Sequence, residues 1–305
     1  MNKILKTISL DLAAAAILIA LVAEPSTRDF ALTNLAVQLV LFLFLACIPA
    51  YRTKVMAVVD LAWPWGVLAI AVQLLIFGDA GSPLTLAVAA AYAVIGGRMG
   101  LWAAAMFLRH GLPKEDLPRY RYQRRRWRKK GYRGDTIPMQ HEILQQAAGN
   151  ISFLALPAMV IAARDGAGLG AIEIAALAAW LACWCLESLA DYQKTRFTAA
   201  VRGRTCNIGL WRYSRHPNYF FQWMQWNALI VAALPSFFER AGDLNAGAVV
   251  ALAVGLPGLS YLMYQTLVYF TGALPAEYYS LQSRPDYADY QATTNRFFPG
   301  RVRST

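Results

Sequence analysis

Arg212, Arg215 and His216 fall within five residues of one another, in the stretch Gly209-Leu-Trp-Arg-Tyr-Ser-Arg-His-Pro-Asn-Tyr219. Two guanidinium groups and an imidazole supply fixed, charged donors, and Tyr213, Asn218 and Tyr219 add hydroxyl and amide groups. Such a set suits a phosphate-bearing cofactor held at the mouth of an apolar pocket. The plainer alternative is a charged cuff at a membrane surface, with Pro217 opening the next helix.

Other residues of chemical interest lie apart from this stretch. Glu187, Asp191 and Lys194 are spaced i, i+4 and i+7, on one face of a helix. Acidic groups at a helix C-terminus oppose its dipole, so they need partners or a task. Arginines of the following loop would serve as partners; ribose hydroxyls or a carboxamide would serve as ligands. Asp60 begins Asp60-Leu-Ala-Trp-Pro-Trp65, either an interfacial tryptophan anchor or the seat of a buried acid. Arg98, within Gly96-Gly-Arg-Met-Gly100, sits deep in an apolar run, where a guanidinium is costly unless paired or hydrated. Asp116, Arg119 and Tyr120 precede the run 121–130, whose seven basic residues suit topology or anionic lipid headgroups better than catalysis. In the tail, Asp286 and Arg296 are the polar candidates among aromatics that suggest an amphipathic cap. No Cys or His spacing matches a metal site, and Gly96–Gly100 is not a Rossmann loop.

The elements that must position these groups are membrane helices. The chain is 57% hydrophobic and 15% charged, against about 25% charged in soluble domains. Apolar runs predict an all-α, polytopic membrane protein, a single integral-membrane domain over 1–305. Spans are expected near 8–23, 34–50, 56–77, 84–108, 142–163, 171–190, 219–238 and 246–270, seven or eight in all. The first reads as a retained helix rather than a signal peptide, because Asp11 interrupts its core and Leu21 stands where a small residue is needed. Of the 29 Lys and Arg residues, 25 fall in alternate loops and the termini. This asymmetry puts both termini and the loops 109–141 and 191–218 in the cytoplasm. The net charge of +11 is therefore explained by topology and anionic lipids, and no nucleic-acid partner is expected.

Several blocks then match one pattern in order: Asp60-x-x-Trp63, Arg98, Asp116-x-x-Arg119-Tyr120, Glu187-x-x-x-Asp191-x-x-Lys194, Arg215-His-Pro-Asn-Tyr219, and Arg284-Pro-Asp-Tyr287 with Phe297-Phe-Pro299. Over about 55–300 the chain resembles bacterial members of the steroid 5-alpha-reductase family, including a large related group of membrane proteins of unassigned function. The spans in 1–54 would be additional. The resemblance implies a cytoplasm-facing cavity for NADPH, with a hydrophobic substrate entering from the lipid and accepting a hydride at an enone β-carbon. It implies that Arg98, Asp191, Tyr213, Arg215, His216 and Asn218 line the cofactor site, with Arg119 and Tyr120 near its adenosine end. Glu187 and Lys194 belong to the same matched blocks, and Gln222 and Arg296, beside them, are further candidates for the cofactor site. Asp60 matches the region supplying the carbonyl-polarising acid, with Tyr219 and Tyr92 as other proton donors.

One departure stands out. Relatives usually read Asn-Tyr-Phe-Gly-Glu where this chain reads Asn218-Tyr-Phe-Phe-Gln222. Phe221 fills space that glycine leaves open, and Gln222 can hydrogen-bond a carboxamide but carries no charge. Two rival readings follow. One is a membrane methyltransferase resembling isoprenylcysteine carboxyl methyltransferase, with S-adenosylmethionine as cofactor and Glu277 as its tail carboxylate. The other is a non-enzymatic lipid-binding scaffold of the same fold.

Overall fold

Prolines open many of the helices, because a residue at the first helical position needs no N–H and gains from a fixed φ. In the computed structural model, which describes residues 3–164 and 168–303 (without the side chains of 3–9), Pro25, Pro83, Pro118 and Pro217 all stand at helix starts. The helices are α1 (Lys3–Ala23), α2 (Pro25–Thr53), α3 (Met56–Phe77), α4 (Pro83–His110), α5 (Pro118–Lys129), α6 (Thr136–Ala162), α7 (Ala171–Ala200) and α8 (Pro217–Arg240). They continue with α9 (Ala246–Gln265), α10 (Ala273–Ser283) and α11 (Tyr287–Thr293). No strand occurs among the described residues.

Six helical stretches are long and apolar enough to cross a membrane: α2, α3, α4, α6, α7 and the run Ala246–Ser283. This is a membrane protein of nearly all-helical build. The first expected span is a shorter apolar stretch, Leu10–Ala23, within α1. The span expected at 219–238 is the 24-residue α8, which is not among the six. Polar Asn218, Gln222, Gln225 and Asn227 dilute its first half. Several boundaries move: α2 begins at Pro25 and α6 at Thr136, both ahead of their expected starts. Helix α7 runs to Ala200, ten residues into the expected loop 191–218, and the expected loop 109–141 contains all of α5.

Widened, π-helical turns occur at Leu43–Cys47, Asn150–Leu154 and Thr266–Phe270. Pro49 and Pro157 explain the first two. Each lacks the N–H that the carbonyl four residues earlier, of Leu45 or Phe153, would accept, and the wider turn takes up the misfit.

The chain folds into two compact units, each assembled from separate segments. The first holds residues 1–117, 124–174 and 230–259. Its buried centre contains an amide network around the π-helical turn of α6. Asn34 Nδ2 donates to the carbonyls of Asn150 and Ile151 at 3.2 and 3.1 Å, Gln38 Nε2 to Asn34 Oδ1 and the Gly66 carbonyl, and Asn150 Nδ2 to Gln38 Oε1 and the Trp63 carbonyl. These bonds satisfy groups that lipid cannot. Tyr92, one of the expected proton donors, is fully buried here and donates to the Leu154 carbonyl at 2.5 Å. A Cβ added at Gly96 would lie 2.6 Å from the Pro64 carbonyl oxygen and the Leu68 nitrogen, so this glycine lets α3 and α4 pack backbone to backbone. On the same unit Arg164 donates to Glu173, Ser236 and Glu239, joining the ends of α6, α7 and α8.

The second unit holds residues 118–123, 175–229 and 260–305. Its small core sets Trp211 and Cys206 against Ala190 of α7. Twelve of the fourteen expected site residues belong to this unit; Asp60 and Arg98 belong to the first.

Candidate functional site

The chain enters the site through a turn that only a few residues tolerate. Gly209 has φ +55, and its neighbour Leu210 donates its N–H to Gln193 Oε1 of α7 at 2.9 Å. The short 3₁₀ turn Gly209–Arg212 follows. Trp211 is buried, donates through Nε1 to the Ala190 carbonyl at 2.8 Å, and lies under the Lys194 ammonium, 4.3 Å from the ring centre. The Lys194 side chain thus rests on an indole face.

The tail then wraps the stretch 211–216. Ser214 Oγ donates to the Phe297 carbonyl at 2.8 Å, Arg215 N–H to the Asn295 carbonyl at 2.9 Å, and Gly300 N–H to the Tyr213 carbonyl at 3.0 Å. The Tyr290 hydroxyl donates to the Trp211 carbonyl. Burial raises the titration of Tyr290 well above the ordinary phenol range, so it stays a donor. Asp286 fastens the loop before the turn, accepting from the Thr205 hydroxyl at 2.7 Å and its N–H at 3.1 Å. Burial works to raise the pKa of this carboxylate, but the Thr205 bonds and nearby Arg204 outweigh it and hold it below the usual range.

At the centre is Glu277 of α10, only 2% exposed. Its Oε1 accepts from Arg215 Nε at 2.8 Å; its Oε2 accepts from Arg296 Nε at 3.0 Å and Gln291 Nε2 at 3.1 Å. Arg215 also donates to the Gln291 and Thr294 carbonyls at 2.9 and 2.6 Å. The resemblance implies that Arg215 lines the cofactor site; these bonds tie its Nε and Nη1 to the protein and give it the further task of holding the tail. His216 Nε2 lies 3.4 Å from Glu277 Oε1 without the alignment of a hydrogen bond, and is buried with no other partner. Its ring stacks flat on Tyr219, centroids 5.3 Å apart and planes 1° apart. Burial pulls the imidazole pKa down to about 4, against the raising influence of Glu277, so the ring is neutral at pH 7.

Helices α7 and α8 add a polar ladder within the same unit. Asn218 Nδ2 donates to Asp191 Oδ1 at 2.9 Å, and two turns further Gln225 Nε2 donates to Glu187 Oε2 at 2.6 Å. Glu187 and Gln225 are both buried. Gln222, half-buried, lies between these rungs by helical spacing. Asn218 Oδ1 is buried with no hydrogen-bond partner. Tyr213 is exposed. Arg119 and Asp191 both act electrostatically on the Tyr219 hydroxyl, which brings part of the Asp116–Tyr120 block to this site.

That block divides. Tyr120 is buried, with the Arg119 guanidinium 5.0 Å from its ring centre. Asp116 does structural work in the first unit. It accepts from the N–H groups of Met56 and Ala57 at 2.6 and 3.1 Å, capping the first turn of α3, and from Arg124 Nε at 2.6 Å. In that unit Asp60 is half-buried in the first turns of α3, and Arg98 is exposed on α4.

Sequence reasoning missed Gln225 and Gln291, and gave Glu277 a place only in the rival methyltransferase reading. The signal for Gln225 was present: Asn218, Gln222 and Gln225 repeat at i, i+4 and i+7, facing the same spacing of Glu187 and Asp191. Nothing local marks Glu277, whose partner Arg215 is 62 residues away.

The model of a family described as a protein of unknown function (DUF1295) matches residues 44–294. The chain belongs to that family. No curated protein and no solved structure matched the chain.

Proposed function

We propose that this protein is a membrane-embedded reductase that uses NADPH to reduce an activated carbon–carbon double bond in a hydrophobic, enone-type substrate. The observation that carries the reading is Asn218 Oδ1, a buried acceptor with no hydrogen-bond partner, two residues from His216. An unsatisfied buried polar atom costs about 1–3 kcal/mol, so it favours a ligand that completes it. The kind of ligand comes from the resemblance to steroid 5-alpha-reductases set out above.

The residues fit a nicotinamide nucleotide in their chemistry. Asn218 Oδ1 and the carboxylates of Asp191 and Glu187 accept from amide or ribose donors, with Gln222 beside them. Arg119, the exposed Arg212 and the half-exposed Arg296 offer cationic donors to phosphates. Arg215 acts behind them by fixing the tail, and Lys194 adds positive charge. When bound, NADPH supplies the hydride that goes to the β-carbon. A proton must reach the α-carbon to balance the reduction, and an acid must polarise the carbonyl. Tyr219, held flat by His216, and Asp60, as the resemblance implies, are the residues assigned to those tasks. Arg98 is assigned to the cofactor on the resemblance alone. The substrate enters from the lipid; the basic loops, with both termini, face the cytoplasm. The exposed Arg121, Arg125 and Arg128 of α5 meet anionic headgroups.

The engagement of Glu277 weighs against the methyltransferase reading, since both its oxygens are already occupied by protein donors. The test is purified protein in detergent with NADPH and a panel of enone lipids, followed at the nicotinamide absorbance. Thermal-shift runs with NADPH and with S-adenosylmethionine accompany it. Stabilisation by S-adenosylmethionine alone would overturn the reductase, and stabilisation by neither would leave the scaffold.

A further inference from the structure

His216 is one of three histidines in the chain and the one that is buried. Two features hold its ring. One face lies flat on Tyr219, and the Nε2 edge faces Glu277 Oε1 at 3.4 Å. Glu277 receives Arg215, Arg296 and Gln291 on its two oxygens, which fixes it as an anion with acceptor character only. A ring nitrogen carrying a lone pair would be repelled by that carboxylate, whereas an N–H is attracted. The anion therefore selects the neutral tautomer with its proton on Nε2, and Nδ1 is left as an acceptor.

We propose that Glu277 is a positioning residue that sets the tautomer of His216, so that Nδ1 presents a lone pair to an N–H or O–H group of the ligand. The inference rests on the reading of His216 as a ligand-facing residue. It adds the class of group recognised: a neutral donor such as an amide or a hydroxyl, and not a phosphate or carboxylate. The same carboxylate, by holding Arg215 and Arg296, places the tail segment that closes over residues 211–216.

The experiment is nitrogen NMR of ¹⁵N-histidine protein in detergent at neutral pH, with no nucleotide present. His110→Asn and His141→Asn leave His216 as the single reporter. The expected spectrum has one protonated and one unprotonated ring nitrogen, the proton on Nε2. In Glu277→Gln the amide presents a donor or an acceptor, and the Nδ1–H form rises from undetectable to a comparable population. Glu277→Asp keeps the charge and restores the Nε2–H form. A proton on Nδ1 in the parent protein overturns the proposal outright, whether or not any variant folds. An unchanged tautomer in folded Glu277→Gln overturns it as well. Because no cofactor is in the tube, a correct tautomer in a protein that fails to bind NADPH would count against the reductase reading alone.

Discussion

Replacing Glu277 with alanine removes the acceptor of three side-chain donors at once. The losses are unequal. The Arg215 side chain is 8% exposed, and stripping a buried ion of its partner costs about 3–5 kcal/mol. Arg215 keeps its two carbonyl acceptors, which puts its share at the lower end, about 3 kcal/mol. Arg296 is 37% exposed, so its share is at most about 1 kcal/mol. The expected total for Glu277→Ala is about 4 kcal/mol. Glu277→Gln keeps an acceptor and the volume and should lose about 2 kcal/mol, the scale of one charge-assisted bond. The assay is chemical denaturation in detergent micelles, followed by fluorescence of the nine tryptophans. Arg215→Ala should cost a similar amount, and the double variant should fall short of the sum by more than about 1 kcal/mol, because each substitution already removes the shared contact. A Glu277→Ala loss below about 1 kcal/mol, or additivity within about 0.5 kcal/mol, would refute the claim that this carboxylate organises the tail.

Three further outcomes follow from the same geometry. His216 has a folded pKa of about 4 against an ordinary 6.5, so the unfolded chain takes up the proton first. Its contribution to stability is complete above pH 6.5 and is lost as pH falls toward 4, by up to about 3 kcal/mol. His216→Asn should flatten the stability–pH curve in that window, and an unchanged slope would count against a neutral buried ring. Gln222→Glu, which restores the residue usual in the resembling enzymes, sets a third carboxylate between Glu187 and Asp191. It should destabilise by about 1–3 kcal/mol in the same denaturation assay, and no change would remove Gln222 from the ladder. Asn218→Ala should lose the bond to Asp191, about 1.5–3 kcal/mol, measured as a drop in the denaturation midpoint.

The helical frame was legible because its signals are local. Apolar runs of span length and prolines at helix starts need no tertiary information; α3 and α4 lie where the runs put them, and α2 and α6 cover theirs but start earlier. Helix α7 overran its expected end because charged Asp191, Lys194 and Arg196 read as a loop, although they fit a helix that continues past the apolar run. Asp116 shows the limit of block reading. It stands three residues from Arg119, yet it caps α3 in a different unit. The tail-holding bonds of Arg215 were hidden for a related reason. A basic residue in a donor-rich stretch suggests a ligand, but its acceptors, Glu277 and two tail carbonyls, are brought to it only by the fold. The facing polar spacings on α7 and α8 were readable, but only once the two helices were known to run side by side.

Equilibrium titration of the purified protein with NADPH, beside an identical titration with S-adenosylmethionine, tests the central claim most directly. The account predicts saturable binding of NADPH, none of S-adenosylmethionine, and a loss of about tenfold or more in NADPH affinity, some 1.4 kcal/mol, in His216→Ala and in Asn218→Ala. Binding of S-adenosylmethionine alone, or NADPH affinity unchanged in both variants, would contradict it.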